Sequence, residues 1–193
     1  MDRPHLIVLA GPNGAGKSSA APALLNETLG ITEFVNADVI AAGLSAFEPE
    51  RVALEAGRLM LQRIHELAEQ RIDFAFETTL ASRSFAPWIA GLVQSGYIFD
   101  LIYLWLRSAD HAVSRVRDRV LKGGHNVPEE TIRRRYDRGI TNFFRLYRPL
   151  AASWRVYDNA DSSGLSLIAS GGAAVAETVV NQDMWDKIKQ SAK

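Results

Sequence analysis

Cysteine is absent from this sequence of 193 residues, so disulfide bonds and thiolate metal centres are excluded. Histidine is also scarce: there are four, and no two of them stand at the helical spacing of a zinc site. A chain without disulfides is typical of a reducing compartment, so we expect a cytoplasmic protein. The length suits one domain and no credible linker interrupts it, which predicts a single domain over residues 1–193.

Long hydrophobic runs are absent too. The apolar segment YIFDLIYLWL at 97–106 is interrupted by Asp100 and is much shorter than a membrane-spanning helix. Only a few apolar residues precede Gly11, so we expect neither a cleaved leader nor a membrane partner.

The formal net charge is zero, but it is unevenly distributed. Residues 107–148 carry eleven Lys or Arg against five Asp or Glu, a local excess of six positive charges. A basic segment inside a neutral chain favours a local anion site over a nucleic-acid coat, so we predict that nucleic acid is not a partner.

Apolar strand-like runs alternate with helical ones, which is the pattern of an α/β fold with a parallel sheet. The run HLIVLA is apolar throughout and predicts a strand buried on both faces. We predict about five or six strands, flanked by helices on both faces, at 5–10, 33–38, 72–77, 98–106, 153–160 and 164–170. The predicted helices cover 17–29, 48–70, 84–95, 109–121, 128–147 and the chain from about 176.

The segment GPNGAGKSS follows the first predicted strand and leads into the first predicted helix. It satisfies the phosphate-loop pattern G-x-x-x-x-G-K-[ST], in which small residues let backbone N–H groups point at phosphate oxygens. In this pattern Lys17 reaches the β- and γ-phosphates, and the Ser18 hydroxyl coordinates Mg²⁺. We therefore predict that ATP and Mg²⁺ bind to Gly11, Pro12, Asn13, Gly14, Ala15, Gly16, Lys17, Ser18 and Ser19.

Polar residues follow several other predicted strands, at the edge of the sheet where α/β proteins bind their ligands. Asp38 is either a base that accepts a proton from an acceptor hydroxyl or the N-cap of a helix beginning at Val39. Glu77 interrupts an apolar run, which favours a place near Mg²⁺ or a substrate hydroxyl over a capping turn. Asn159 is a weaker candidate for contact with the nucleotide base.

The segment KGGHNVP at 122–128 separates two predicted helices and contains adjacent glycines among basic residues. This composition is typical of a closing lid, which we place at about 119–135. Arginines of the lid could stabilise charge on a transferring phosphoryl group, but Arg133, Arg134 and Arg135 point in three directions on a helix. At least one of them is therefore expected to face solvent. His125 is interpreted as a loop donor, with a general-base role as the alternative.

The segments GPNGAGKSS, NADVIAAGL, FETTLASR and RVLKGGHNVPEETIRRRY together resemble the zeta-toxin family of phosphate-loop kinases, over roughly residues 5–159. The resemblance implies that Lys17 and Ser18 bind phosphates and Mg²⁺ and that Asp38 is the catalytic aspartate. It further implies that Glu77 and Thr79 bind substrate. The two phosphate-facing arginines that it implies are Arg119 and Arg135, with Arg134 as the neighbouring alternative to Arg135.

The same resemblance implies a reaction and a partner. Family toxins phosphorylate the 3′-hydroxyl of the sugar in UDP-N-acetylglucosamine at the expense of ATP, and a small antitoxin protein holds them inactive. The family pattern E-G-T-x-R is replaced here by ETTLASR, so Arg83, the implied contact to the sugar nucleotide, stands two residues later. In length the chain resembles the stand-alone chromosomal branch of the family.

The leading prediction is an ATP-dependent kinase that acts on a hydroxyl of a small molecule. Its predicted catalytic residues are Asp38, Lys17, Arg119 and Arg135, and its predicted substrate-binding residues are Asp38, Glu77, Thr79, Arg83 and Arg134. One alternative is a polynucleotide 5′-hydroxyl kinase that uses the basic segment. The other is a nucleotide-dependent switch that hydrolyses ATP slowly and has no small-molecule acceptor.

Overall fold

A mixed sheet forms the centre of the computed structural model, which describes residues 3–27, 29–160 and 164–192. Within these ranges its seven strands are β1 (His5–Ala10), β2 (Glu33–Val35), β3 (Phe74–Thr78), β4 (Ile98–Trp105), β5 (Ser153–Asp158), β6 (Ser166–Gly171) and β7 (Thr178–Val179). They stand in the order β2-β3-β1-β4-β5-β6-β7. The pairings among β1 to β5 are parallel, whereas β6 pairs antiparallel with β5 and with β7. The α/β prediction is confirmed, but the sheet has an additional strand and an antiparallel edge.

Helices flank the sheet. In the described residues the α-helices are α1 (Lys17–Ala21), α2 (Ala37–Leu44), α3 (Ala53–Glu69), α4 (Phe85–Gln94), α5 (Ala109–Leu121), α6 (Glu129–Asn142) and α7 (Gln182–Ser191). Over the same part of the chain, no helix combines the length and the apolar character needed to cross a membrane.

The first helix differs from the prediction for 17–29. Its α-helical part ends at Ala21 and continues as a π-helical turn over Pro22–Glu27, because Pro22 has no N–H to donate to the helical ladder. Thr28, also within the predicted helix, lies outside the described residues. The helices predicted at 48–70 and 128–147 contain short 3-10 or π-helical turns at their start or end, at Pro49–Val52 and Phe143–Tyr147.

The end of the chain also differs, because the helix predicted from about 176 starts later. Thr178–Val179 form the edge strand β7 instead. Helix α7 begins after Asn181, whose side-chain oxygen accepts a hydrogen bond of 3.0 Å from the Met184 N–H. Asparagine is a favoured N-cap, so this bond sets the start of the helix.

Both faces of β1 are buried, as its uninterrupted apolar sequence predicts. Leu6 and Val8 belong to a core cluster formed with α3, α4 and α7. Ile7 and Leu9 belong to a second cluster, formed with α1, α5 and the first half of α6. Side chains alternate along a strand, so a sheet covered on both faces requires this continuous apolar run.

The parallel strands bring their carboxyl ends to one edge of the sheet. Ala10 of β1 stands beside Thr78 of β3 and Tyr103 of β4, and Trp105 stands beside Asp158 of β5. The segments that follow these strands therefore emerge close together, and the candidate functional residues lie on them.

Gly139 lets helix α6 lie directly against the loop after β3. A Cβ at this position would come within 2.4 Å of the Thr79 carbonyl oxygen. We expect Gly139→Ala to displace α6 and to lower the free energy of unfolding by roughly 1–3 kcal/mol, as other overpacked sites do. Its matched control is Gly57→Ala in α3, where no described atom lies within 4 Å of an added Cβ. This control is expected to gain up to about 1 kcal/mol from helix propensity. Thermal unfolding distinguishes the two, and equal shifts would contradict the packing argument.

Candidate active site

The phosphate loop connects β1 to α1 at the carboxyl edge of the sheet. Gly16 stands directly before α1 with a φ of +77°, which is left-handed backbone that favours glycine. A Cβ at Gly16 would also lie 2.6 Å from Nδ2 of Asn159. That amide donates a hydrogen bond of 2.7 Å to the Ala15 carbonyl oxygen. Asn159, predicted to contact the base, thus holds the loop itself, and the base contact stays a prediction.

Lys17 is buried at the base of the loop, with 5% of its surface exposed. Its ammonium donates hydrogen bonds of 2.9 Å to the carbonyl oxygens of Gly11 and Pro12. Its Nζ lies 3.5 Å from Oε1 of Glu77. Burial lowers the pKa of Lys17, and the negative charges of Glu77 and Asp38 oppose this shift. The loop therefore holds a desolvated cation. The two carboxylates that interact with it lie on other segments, at the end of β3 and in the first turn of α2.

Three polar side chains meet beside this lysine. The Ser18 hydroxyl donates a hydrogen bond of 2.7 Å to Oε2 of Glu77. The Asn36 amide donates to the same carboxylate oxygen at 2.7 Å and to the Ser18 hydroxyl oxygen at 3.1 Å. Sequence reasoning did not single out Asn36, although an asparagine two residues before an aspartate at the start of a helix is a common capping pattern.

Asp38 lies in the first turn of α2, and the helix begins one residue before it. The N-cap is Asn36, whose Oδ1 accepts hydrogen bonds from the backbone N–H of Asp38 at 2.8 Å and of Val39 at 3.4 Å. The alternative in which Asp38 caps a helix beginning at Val39 is therefore wrong. Since Asp38 does not cap the helix, its exposed carboxylate is available to the site, where it interacts with the charges of Lys17 and Arg135.

A cavity of 560 Å³ opens beside these groups. It is lined by the loop, α2, the end of β3, α5 and the segment after α5, through Asn13, Gly14, Gly16, Lys17, Ser18, Ser19, Asp38, Glu77, Arg115, Asp118, Arg119, Lys122 and Gly124. Most of the predicted nucleotide-binding and catalytic residues are thus brought together. The remaining predicted residues do not line it: Gly11, Pro12 and Ala15 are buried, Thr79 and Arg135 are half-buried, and Arg83 and Arg134 are exposed.

Of the two alternative arginines on α6, the structure turns Arg135 towards the loop. Its Nη1 donates a hydrogen bond of 3.4 Å to Oδ1 of Asn13. Burial lowers the pKa of Arg135, and the charge of Asp38 opposes the shift. Arg134 is exposed, and Arg133 forms ion pairs of 2.6 Å with Asp110 and 2.8 Å with Glu129. Part of the basic segment is therefore neutralised at the surface between α5 and α6.

The predicted lid is an irregular segment, 122–128, between α5 and α6. Arg119, at the end of α5, donates a hydrogen bond of 2.6 Å to the His125 carbonyl oxygen. The Asn126 N–H donates to Oε1 of Glu50 at 3.2 Å, and Nδ1 of His125 lies 3.1 Å from the same oxygen. Hydrogen bonds from the backbone N–H groups of Glu50 and Asn126 lower the pKa of Glu50. The segment is thus fastened both to α5 and to the turn before α3.

Arg115 and Asp118 of α5 line the cavity but were not predicted as site residues. Arg115 Nη1 donates a hydrogen bond to the Asn159 carbonyl oxygen, which connects α5 to the segment after β5. Both side chains reach the site only because α5 packs across the loop, a long-range arrangement that the local sequence does not indicate.

Comparison with known proteins finds relatives of similar sequence and structures of similar fold. A protein of Haemophilus influenzae (strain ATCC 51907 / DSM 11121 / KW20 / Rd), described as uncharacterized, is 27% identical over 130 residues, which is 67% of this chain and 91% of that protein. A chain of the AvrRxo1-ORF1:-ORF2 complex solved with ATP superposes with a TM-score of 0.77 at 18% identity, over 99% of this chain and 65% of that one. This chain therefore spans less than two thirds of that neighbour.

A third similarity is to the PezAT chromosomal toxin–antitoxin system of Streptococcus pneumoniae. The TM-score is 0.65 at 15% identity, over 99% of this chain and 86% of that one. At these identities the structural neighbours establish the fold, and the family rests on the sequence. The family model described as zeta toxin matches residues 1–166 of this chain. Together, the phosphate loop and this match indicate a kinase-like P-loop phosphotransferase. The chain belongs to the zeta toxin family, which confirms the resemblance that its motifs predicted.

Proposed function

We propose that this protein is an ATP-dependent kinase that transfers the γ-phosphoryl group to a hydroxyl of a small molecule, and specifically to the sugar of UDP-N-acetylglucosamine. The observation that carries the proposal is that Asp38 faces the same cavity as Lys17 and Ser18. A kinase needs a group that receives the proton of the acceptor hydroxyl, and a carboxylate at this place provides it. ATP as the donor is supported by the structural neighbour solved with ATP.

Mg²⁺ fits the oxygens at the loop. Ser18 Oγ and Glu77 Oε2 lie 2.7 Å apart, and both residues line the cavity. Mg²⁺ is commonly held by one or two protein oxygens, with phosphates and waters completing its octahedron. Among the described residues no group of three or more His, Cys, Asp or Glu could hold a metal alone, which suits an ion that binds together with the nucleotide. When bound, Mg²⁺ neutralises charge on the β- and γ-phosphates.

In the proposed reaction the acceptor hydroxyl oxygen forms a bond to the γ-phosphorus while Asp38 takes its proton. The bond between the γ-phosphorus and the bridging oxygen breaks, and ADP leaves with that electron pair. Lys17, Arg119 and Arg135 stabilise the negative charge that develops on the phosphoryl oxygens. Of the predicted substrate-binding residues, Asp38 and Glu77 line the cavity, whereas Thr79, Arg83 and Arg134 do not. Because Glu77 accepts the hydrogen bond of Ser18 at the proposed metal site, we assign the acceptor hydroxyl to Asp38.

The proposal extends to the setting of the reaction. We propose a single catalytic domain of the stand-alone chromosomal type that acts in the cytoplasm and is held inactive by an antitoxin protein. The similarity to PezAT, a toxin–antitoxin system, supports the last point.

The test is a transfer assay with γ-labelled ATP and Mg²⁺, run without an acceptor, with UDP-N-acetylglucosamine and with an oligonucleotide. We expect label on the sugar nucleotide, lost in Lys17→Ala and in Asp38→Asn. Label found only in free phosphate would contradict the kinase proposal and favour the switch. Label on an oligonucleotide, with strongly salt-dependent binding, would favour the polynucleotide kinase.

Arg135 offers a matched comparison with its neighbour. We expect Arg135→Ala to lower the transfer rate about 100-fold, since a partly desolvated guanidinium near the loop stabilises transferred charge strongly. Arg134→Ala, an exposed control on the same helix turn, is expected to change the rate by less than about 2-fold. The labelled-ATP assay measures both rates. Equal losses would show that the orientation of Arg135 towards the loop gives it no special part in transfer.

A further inference from the structure

The side chain of Asn36 uses both ends of its amide in the site. Nδ2 donates 2.7 Å to Oε2 of Glu77 and 3.1 Å to Oγ of Ser18. Oδ1 accepts from the N–H groups of Asp38 and Val39. This orientation is fixed by its partners, since the opposite one would set the NH₂ group against two N–H donors and the oxygen against a carboxylate.

Burial strengthens these hydrogen bonds. Asn36 is 5% exposed, so water does not compete strongly for its amide. The bond to Glu77 has a carboxylate as acceptor, which makes it stronger than a bond between neutral groups. A single amide therefore joins the phosphate loop, the end of β3 and the first turn of α2.

The Glu77 carboxylate lies between two hydrogen-bond donors, Ser18 and Asn36, and the ammonium of Lys17. Its Oε2 accepts hydrogen bonds from Ser18 and Asn36, and its Oε1 lies 3.5 Å from Nζ of Lys17. Without the amide donor, the carboxylate would be free to turn towards the ammonium and form a closer ion pair. Such a turn would take the carboxylate oxygen away from the Ser18 hydroxyl, beside which Mg²⁺ is proposed to bind.

We propose that Asn36 is a positioning residue that keeps Glu77 against Ser18, so that both oxygens face the metal of Mg·ATP, while it fixes the helix turn that carries Asp38. The inference rests on the proposed function, because it assigns Asn36 a part in Mg·ATP binding. Asn36 itself is not placed on the reacting atoms.

The chain contains an internal control for the capping half of this role. Asn181 caps α7 through a hydrogen bond of 3.0 Å from the Met184 N–H, and Asp183 follows in the first turn, as Asp38 follows Asn36. Asn181 does not line the cavity. An Asn→Ser change keeps a good N-cap at either position, because serine caps helices about as well as asparagine does. Only at position 36 does it remove an amide donor to Glu77, and the shorter serine side chain uses its hydroxyl oxygen for the cap.

The experiment compares the affinities for Mg·ATP and for metal-free ATP by isothermal titration calorimetry, in wild type, N36S, N181S, E77Q and N36S/E77Q. We expect N36S to weaken Mg·ATP binding roughly 10- to 100-fold, as loss of a residue that orients a metal ligand does. Metal-free ATP should change by less than about 3-fold in N36S, and N181S should bind as wild type does. In the E77Q background the N36S effect should shrink to less than about 3-fold, because Asn36 acts through Glu77.

The inference is overturned if N36S binds Mg·ATP as wild type does, or if N36S weakens binding equally in the wild-type and E77Q backgrounds. The proposed function would stand in either case. Failure of wild type to bind Mg·ATP overturns the proposed function and the inference with it. If N36S does not fold, Asn36→Asp takes its place in the same cycle, since aspartate keeps the cap and the side-chain size but presents no amide donor.

Discussion

Replacing Lys17 with methionine is expected to lower phosphoryl transfer by about 1,000-fold or more, because it removes a preorganised cation from the place where charge develops. The protein should nevertheless stay folded. Lys17 is buried, and the dominant influence on its pKa is the cost of desolvating the charge. Methionine keeps the apolar stem and removes that cost, while Glu77 retains its hydrogen bonds to Ser18 and Asn36. We expect the midpoint of thermal unfolding to change by only a few degrees.

The pH dependence of stability follows from the same burial. A lysine whose folded pKa is lowered from 10.5 carries fewer protons folded than unfolded between its folded pKa and that value, so stability rises with pH across this window. Unfolding of wild type and Lys17→Met, measured from neutral pH to about 10.5, should show wild type gaining relative to the variant. The exposed control Lys187→Met should transfer phosphate at the normal rate. If wild type instead became less stable relative to Lys17→Met as the pH rises, the desolvation argument would be contradicted.

Asp38→Asn is expected to reduce transfer by about 100- to 10,000-fold, the range for loss of a general base. Nucleotide binding should remain within about 2-fold, because the phosphates are bound by the loop and its lysine. The helix should also remain, since Asn36 and not Asp38 forms the cap. Single-turnover transfer and calorimetric ATP binding separate the two effects.

The matched control is Asp183→Asn, which removes a carboxylate from the same helical position in α7. It should leave transfer unchanged. If Asp38→Asn transferred phosphate at the normal rate, the carboxylate would be only a first-turn charge that favours the helix N-terminus, and the proposed chemistry would need another base.

The contiguous parts of this site could be predicted from the sequence. The phosphate loop is one local segment whose glycines and Lys17 need only a strand before and a helix after, and both are present. Arg135 could not be separated from Arg134, because a difference of one residue on a helix is decided by how α6 packs against the loop. The proximity of Asn36 to Glu77 depends on the parallel pairing of β2 with β3, which no local pattern specifies.

In the fold, too, many of the features set by local sequence could be predicted and those set by long-range pairing could not. The buried strands are confirmed because a strand covered on both faces has an unmistakable apolar sequence. The antiparallel edge and the late start of α7 were missed, because two-residue pairing such as that of Thr178–Val179 with β6 has almost no sequence signature. The break in the first helix was also missed, although Pro22 is a local signal for it.

The bridge from Glu50 to the 122–128 segment is expected to affect how long a nucleotide stays bound. The segment carries Lys122 and Gly124 at the wall of the cavity, so moving it outward breaks the hydrogen bond between Asn126 and Glu50. We therefore expect nucleotide exchange to depend on Glu50, although this residue does not line the cavity. If opening of this segment limits turnover, as lid opening does in many enzymes, we expect substitutions at Glu50 to change the rate of turnover without changing the reaction itself.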